Sequence, residues 1–387
     1  MAYATDPVAL LQDLIRCPSV TPVDEGALGV LEDVLKPMGF ACERMPFSDT
    51  GTPDVDNLYA RLGTEGKPLC FAGHTDVVPP GDAEAWSHPP FAADIVRADG
   101  GEVMIGRGAV DMKGAIAAFA AACGRYLAEK GPPKKGSIAF IITGDEEGPS
   151  VNGTKKMLRQ LAARGEELGA CIVGEPTNPS QLGEMLKIGR RGSLNGLLRV
   201  DGVQGHVAYP AQANNPVHPM VRMLHAITSE ALDEGSEHFQ PTSLQLTSVD
   251  VGNPTTNLIP ASATARFNVR FNELHTSADV EAWVRERRDR IEFPYDLQIS
   301  VSGESFLTPP GKLSDLLSAA TKAETNREPE LSTTGGTSDA RFIKDYCPVI
   351  EFGLISDWAH KVDEQVRLDE LEGLTRIYRR FLDTWFG

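Results

Sequence analysis

The chain has 387 residues, of which 41% are hydrophobic and 24% are charged, and it carries a formal net charge of −17. This length exceeds one ordinary hydrophobic core and predicts two domains of a soluble globular protein. The negative charge argues against nucleic acid or an anionic membrane as partner, and no apolar run approaches the roughly 20 residues that cross a bilayer. The first residues show neither a basic region nor a cleavage site, so we expect a cytoplasmic protein.

In the first half of the chain, short β-rich runs alternate with helical patterns. Strands are predicted at 57–63, 68–74, 137–144 and 170–176, and helices at 114–130 and 153–167. This alternation is typical of an α/β domain with a mostly parallel sheet covered by helices.

From about residue 191 the pattern changes to a strand, a helix, two strands, a helix and a strand. These elements are predicted at 193–202, 215–232, 243–252, 263–272, 277–291 and 296–303. The order is that of a ferredoxin-like βαββαβ module, a small α+β domain inserted into the larger one. The α/β pattern then resumes with a helix at 312–324, a loop at 332–342, a strand at 348–353 and a closing helix. We therefore expect a catalytic domain formed by 1–190 and 304–387, and an inserted domain at 191–303.

Acids and a histidine follow the predicted strands of the larger domain. His74 ends the run "PLCFAGH", Glu146 and Glu147 follow "SIAFIITGD", and Glu175 follows "ACIVG". Ligands of open parallel sheets bind beyond the carboxyl ends of the strands, so we expect these side chains to converge there. Converging carboxylates repel one another, and with a histidine among them a metal ion is the economical way to neutralise them.

The segment "GRGAVDMKG" at 106–114 could instead be a nucleotide-binding turn. A dinucleotide fingerprint would require a third glycine where this chain has Asp111, and an acid there would repel a pyrophosphate. We therefore favour the metal interpretation, in which Asp111 and the isolated His360 of "WAHKVDE" add to the cluster. The plainer alternatives, a strand-end histidine and a solvated acidic turn, account for single motifs better than for the whole set.

Taken together, the motifs "GHTDVVP", "GRGAVDMKG", "GDEEG", "GEPT" and "HKVDE" resemble the two-zinc aminoacylase and carboxypeptidase superfamily, over nearly the whole chain. The resemblance implies a metal-dependent amidohydrolase with two Zn²⁺ per chain, Co²⁺ being an alternative in one site. It also implies a homodimer formed through the inserted domain. The segments 202–210, 214–219 and 334–342 narrow the implied reaction to hydrolysis of N-succinyl-LL-2,6-diaminopimelate, a small acidic acyl-amino acid. The products would be succinate and LL-2,6-diaminopimelate, for lysine and peptidoglycan-precursor biosynthesis.

The resemblance also assigns roles to individual residues. The implied metal ligands are His74, Asp111, Glu147, Glu175 and His360. Asp111 would bridge the ions, one of which His74 and Glu175 also hold, and the other Glu147 and His360. Glu146 would be the general base and Asp76 would orient the His74 ring through a hydrogen bond. His206 would stabilise the oxyanion from the partner subunit.

A substrate with three carboxylates requires fixed cations around the pocket, and guanidinium groups grip carboxylates best. The candidate substrate-binding residues are Arg190, Arg191, Ser193, Asn257, Arg270, Gly336, Thr337 and Ser338. Two other functions stay open: an acetylornithine-type deacetylase or di-zinc exopeptidase, and a catalytically silent binding protein on the same fold.

Overall fold

The computed structural model describes residues 5–98 and 100–387. The chain forms two compact units. The larger comprises the residues up to Ile188 together with Thr308–Ser332 and Ser338–Gly387, and the smaller comprises Gly189–Leu307 and Thr333–Thr337. Residues 333–337 group with the smaller unit, although the predicted borders place them in the larger domain. In the described part of the chain, no helix combines the length and the apolar character that a membrane span requires.

Each unit contains both helices and strands. In chain order, the helices are α1 (Pro7–Ile15), α2 (Ala27–Leu35), α3 (Lys113–Lys130), α4 (Thr154–Ala163), α5 (Val217–Thr228), α6 (Ser277–Asp289), α7 (Lys312–Thr325), α8 (Ala340–Ile343) and α9 (Leu368–Phe386). The strands are β1 (Ala41–Arg44), β2 (Phe47–Asp49), β3 (Thr52–Val55), β4 (Leu58–Leu62), β5 (Pro68–His74), β6 (Asp94–Ala98), β7 (Gly101–Ile105), β8 (Ser137–Thr143), β9 (Ala170–Val173), β10 (Met185–Lys187), β11 (Gly189–Arg190), β12 (Gly192–Asp201), β13 (Gly205–His206), β14 (Ser243–Asp250), β15 (Leu258–Ile259), β16 (Ser262–Phe271), β17 (Asp296–Gly303), β18 (Phe306–Leu307), β19 (Glu330–Ser332), β20 (Val349–Glu351) and β21 (Gln365–Arg367).

The main sheet of the larger unit has the strand order β1-β4-β8-β5-β9-β20-β10-β19. Its central strands β8, β5, β9 and β20 are parallel to one another, and β4 runs antiparallel to β8. Both β5 and β8 are buried along their whole length, as strands covered on both faces should be. The predicted α/β fold with a mostly parallel sheet is confirmed, and the carboxyl ends of its central strands meet at one edge.

Aromatic packing connects this sheet to its covering helices. Phe71 of β5 stacks on Phe119 of α3 with ring centroids 4.5 Å apart, and Tyr378 of α9 meets Phe119 edge-on at 5.3 Å. The small side chains of α3 are almost all buried, so the helix can approach the sheet closely. This packing fixes the start of α3, which lies just after Asp111.

The smaller unit contains an antiparallel sheet with the order β14-β16-β12-β17. Alternate residues of β12 and β16 are buried, and these form a core with α5 and α6 on one face of the sheet. The predicted βαββαβ module is therefore present, with the strand order of a ferredoxin-like fold.

Several elements of the larger unit were not predicted from the sequence, and two features stand out among them. One is the pair of N-terminal helices α1 and α2. The other is a separate antiparallel sheet with the order β21-β7-β6, in which Gln365 pairs with Ile105 and Arg367 with Val103. The strands of this sheet are short and partly exposed, so no clear alternation of apolar residues marks them. The sheet matters because it ties the segment after His360 to the segment before Asp111.

Candidate metal centre

The site lies where the central parallel strands end. His74 is the last residue of β5 and pairs in register with Thr143, the last residue of β8. Glu146 and Glu147 follow β8, and Glu175 follows β9 by two residues. Because β5 lies between β8 and β9, these side chains leave the sheet at the same edge.

Asp111 lies between two histidines. Its Oδ1 is 3.2 Å from His74 Nε2, and its Oδ2 is 3.1 Å from His360 Nε2. Glu175 Oε1 lies 3.9 Å from His74 Nε2, and Glu147 Oε1 lies 2.8 Å from His360 Nε2. Two atoms bound to one tetrahedral zinc ion at 2.0–2.1 Å are about 3.3 Å apart, close to these separations. The structure thus brings together one group of His74, Asp111 and Glu175 and another of Asp111, Glu147 and His360, which share the aspartate. A third group of His74, Glu146 and Glu147 also has its ligand atoms within 4.8 Å of one another.

The hydrogen bonds of the first group leave donor atoms for an ion. His74 Nδ1 lies 2.8 Å from the main-chain oxygen of Asp76, which can only accept, so in the neutral ring the proton is on Nδ1 and Nε2 keeps its lone pair. Within the described residues, the buried atoms His74 Nε2 and Asp111 Oδ1 face each other at 3.2 Å, and neither makes a well-aligned hydrogen bond. A buried polar atom without a partner is costly, and a cation between these atoms removes that cost. Imidazole nitrogen and carboxylate oxygen are ligands that zinc accepts, so the residues fit a divalent metal.

The charges of the site also favour a cation. Burial raises the pKa of Glu146 to about 8, with the nearby Asp339 and Glu147 carboxylates adding to the effect and His74 opposing it. Burial and the Asp111 charge raise the pKa of Glu175 well above its ordinary value. Ionisation of these carboxyl groups is therefore unfavourable where water cannot screen their charge, and a bound cation would favour the ionised forms.

Asp76 lies beside this site, and the hydrogen bond that joins it to the His74 ring is made by its main-chain oxygen rather than by its carboxylate. The strand ends at His74, and Asp76 Oδ1 is 3.7 Å from His74 Nδ1. The carboxylate instead accepts the main-chain N–H groups of Glu146 (3.3 Å) and Glu147 (3.0 Å). Asp76 therefore orients the histidine through its carbonyl oxygen and holds the acidic turn through its side chain.

A neighbouring acid has a role that the sequence motif did not reveal. Asp145 is buried, and its carboxylate accepts the main-chain N–H groups of Ser150, Val151 and Asn152. These bonds fix the loop that follows Glu146 and Glu147. The signal was present in the acidic run "GDEEG", but sequence alone did not show which acid turns inward.

His206 and most of the candidate substrate-binding residues belong to the smaller unit. The side chain of His206 is exposed, and its Nδ1 accepts the main-chain N–H of Ala208 at 3.0 Å. In the neutral ring the proton is then on Nε2, which makes that atom a hydrogen-bond donor. The ring also lies beside Tyr209, with centroids 5.6 Å apart.

The candidate arginines differ in their surroundings. Arg190 is buried and donates to the main-chain oxygen of Gly336 at 2.9 Å. Burial and, to a smaller extent, the charge of Arg270 lower the pKa of Arg191. Ser193 is buried and pairs in register with Arg270. The pair Arg191 and Arg270 is an arrangement that can bind a carboxylate.

The neutral candidates are also placed differently from one another. Asn257 and Gly336 are exposed and Thr337 is half-buried, so water or a ligand can reach all of them. Ser338 is fully buried in the larger unit, and its hydroxyl donates to Glu351 at 2.5 Å. The hydroxyl proton of Ser338 is thus already used within the fold.

The fold and the site are those of a metal-dependent hydrolase. Residues 70–384 match the model of peptidase family M20/M25/M40, and the chain belongs to this family. Curated relatives named succinyl-diaminopimelate desuccinylase include one from Rhodospirillum centenum, 57% identical over 99% of this chain and 98% of the relative. Another, from Methylobacterium nodulans, is 55% identical over 100% of this chain and 98% of its own length. The predicted resemblance is confirmed.

Solved structures of the same fold share much less sequence. The aminopeptidase PepT from Bacillus cereus has a TM-score of 0.78 at 20% identity, with 97% of each chain covered. An M20 family metallo-carboxypeptidase from Sulfolobus solfataricus has a TM-score of 0.75 at 15% identity, covering 98% of this chain and 99% of its own. A Bacillus subtilis protein described as a dinuclear metal-binding M20 peptidase has a TM-score of 0.70 at 13% identity, covering 100% and 98%.

Proposed function

We propose that this chain hydrolyses N-succinyl-LL-2,6-diaminopimelate to succinate and LL-2,6-diaminopimelate, a step towards lysine and peptidoglycan precursors. The identity of 57% with a full-length relative named for this reaction supports the choice of substrate. The proposal includes two Zn²⁺ per chain, with Co²⁺ as an alternative in one site. A cytoplasmic location stays a prediction.

The observation that carries the reaction class is the shared aspartate of the candidate metal centre. Asp111 directs one oxygen to each of two histidines, and each histidine has a further carboxylate close by. We assign His74, Asp111 and Glu175 to one ion and Asp111, Glu147 and His360 to the other. Each ion then has an N/O set with room for a further ligand, as catalytic zinc requires. When bound, the ions polarise the scissile carbonyl and lower the pKa of water.

Glu146 is the proposed proton carrier. It lies next to Glu147 in the acidic turn, and neither metal group of the proposal uses its carboxylate. In the proposed reaction a carboxylate oxygen of Glu146 takes the proton of the attacking water and later gives it to the departing amine. The hydrogen bond that the main-chain N–H of Glu146 donates to the Asp76 carboxylate keeps this turn in place.

The smaller unit supplies the remaining parts of the proposal. The Nε2 proton of His206 stabilises the oxyanion, and it does so from the partner subunit of a homodimer formed through the inserted domain. The guanidinium groups of Arg191 and Arg270 bind a substrate carboxylate, since a chain of high negative charge needs fixed cations to hold an anionic substrate.

A side-by-side assay tests this function. The purified chain, with zinc restored, is given N-succinyl-LL-2,6-diaminopimelate, acetylornithine and a dipeptide, and kcat/KM is measured for each. A pocket with cations for the succinyl carboxylate leaves them unpaired when the substrate lacks that group. We therefore expect kcat/KM for the succinyl substrate to exceed that for the others by several powers of ten. Comparable rates on acetylornithine or the dipeptide would favour the deacetylase or exopeptidase alternative. Absence of turnover on all three at full metal content would favour a silent binding protein.

A further inference from the structure

Glu364, which the proposed mechanism does not use, lies behind the candidate metal centre. It is fully buried, four residues after His360 in the motif "HKVDE". Its carboxylate accepts three main-chain N–H groups: Gly108 and Val110 at 3.0 Å each, and Asp111 at 3.1 Å. The loop that presents Asp111 is therefore wrapped around one carboxylate from a distant part of the chain.

Arg107 contacts both Glu364 and the main chain near His360. Its guanidinium is buried and contacts Glu364 Oε2 at 2.6 Å. The same guanidinium donates to the main-chain oxygens of Lys361 at 3.2 Å and His360 at 3.4 Å. One buried ion pair thus holds the main chain at Asp111 and the main chain at His360 together.

Glu364 and Arg107 together are called the clamp here, and a strand pairing and a backbone conformation add to it. Strand β21, which begins at Gln365, pairs with β7, which ends at Ile105, so both segments leave one sheet side by side. His360 has a φ of +62°, a conformation that non-glycine residues adopt at a cost unless their surroundings hold it. The carbonyl contact from Arg107 is part of those surroundings.

We propose that Glu364, together with Arg107, is a positioning residue that sets the separation between Asp111 and His360 and so the affinity of the metal group they share. This inference rests on the two-ion assignment of the proposed function. The group of Asp111, Glu147 and His360 has two of its members held by the clamp, whereas the group of His74, Asp111 and Glu175 has one. Loss of the clamp should therefore lower the zinc affinity of the group that contains His360 more than that of the group that contains His74.

Glu364→Gln in the full-length chain is the first variant. The side chain keeps its shape, but one of its two oxygens becomes a donor that faces the main-chain N–H groups or Arg107. The metal-free protein is titrated with Zn²⁺ alone by calorimetry and with Co²⁺ alone by visible absorption, whose d–d bands report coordination geometry. Residues that orient metal ligands typically contribute about ten- to hundredfold in affinity, so we expect a loss of that size in one binding step and a smaller change in the other.

Three further variants separate positioning from stability. Arg107→Lys keeps the positive charge beside Glu364 but cannot reach both carbonyl oxygens as a fork, so it should lower the same affinity while the protein stays folded. Asp233→Asn is the matched control, because Asp233 is a half-buried acid of the smaller unit that accepts the N–H groups of Gly235 and Thr242. It should lower the melting temperature and leave both zinc affinities unchanged. On a His360→Ala background, Glu364→Gln should add little, since the group that it positions is already lost.

The outcomes are distinct. The inference is supported if Glu364→Gln and Arg107→Lys both lower the zinc affinity of the group that contains His360, while Asp233→Asn leaves both zinc affinities unchanged. If Glu364→Gln lowers the melting temperature but leaves both zinc affinities within about twofold of the parent, the clamp is merely structural and the inference is wrong. If Glu364→Gln does not fold, unchanged affinities in Arg107→Lys refute the inference equally. A parent chain that binds fewer than two zinc ions refutes the two-ion assignment itself.

Discussion

The substitution Asp76→Asn separates two roles for the residue beside His74. The aspartate is almost fully buried, and its two oxygens accept one N–H each, from Glu146 at 3.3 Å and Glu147 at 3.0 Å. Asparagine has the same shape but a single acceptor oxygen. One of the two N–H groups would therefore face an amide donor instead of a carboxylate oxygen.

The expected loss of free energy follows from the number of hydrogen bonds that the substitution removes. A hydrogen bond to a charged acceptor contributes about 1.5–3 kcal/mol, and one such bond disappears. If the acidic turn carries that loss, the equilibrium constant for the productive placement of Glu146 falls about ten- to hundredfold, and kcat should fall by up to the same factor. His74 donates to the main-chain oxygen of Asp76, which the substitution leaves in place, so the zinc content should not change.

Steady-state kinetics at saturating zinc and metal analysis after dialysis provide the measurement. Asp94→Asn is a suitable control, because Asp94 contacts the His88 ring at 2.9 Å on the surface, away from the acidic turn, and its loss should change neither quantity. A fall in zinc affinity of Asp76→Asn, with normal turnover per bound metal, would contradict this reasoning. It would show that the carboxylate acts on the metal ligands, through His74 or Glu147, rather than on Glu146.

The remaining predictions concern the metals, the dimer and the substrate carboxylates. Asp111→Ala should lower the metal occupancy of both groups. Glu146→Ala should keep its metals and lose turnover by orders of magnitude, and a metal-free Glu146→Ala protein would contradict the assignment of ligand and base. Co-refolding Glu146→Ala with His206→Ala chains should restore about a quarter of parent activity, because half of the dimers are mixed and one of the two sites in each mixed dimer is complete. Inactive mixed dimers would mean that His206 does not act in the partner's site. Arg270→Met should raise KM for the succinyl substrate far more than it changes the melting temperature, and an unchanged KM would remove the Arg191–Arg270 pair from the binding site.

Sequence by itself determined which side chains stand at the ends of the central strands. His74, Glu147 and Glu175 each follow a short apolar run, and parallel strands direct their carboxyl ends to one edge, so their convergence needs no knowledge of the loops. The βαββαβ module was predictable for a similar reason, because the order of its elements restricts the sheet to few arrangements.

The tertiary structure alone decided how the second metal group is assembled. Asp111 and His360 are far apart in the chain, and they meet because β21 pairs with β7 and Glu364 binds the loop before Asp111. Short, partly exposed strands have no periodicity that would reveal such a pairing. The role of Asp76 was undecidable for another reason: the spacing from His74 cannot tell a carboxylate contact from a carbonyl contact, since the choice depends on where the strand ends. Hydrogen bonds to the main chain depend on the path of the backbone, and that path is set by packing between segments distant in the sequence.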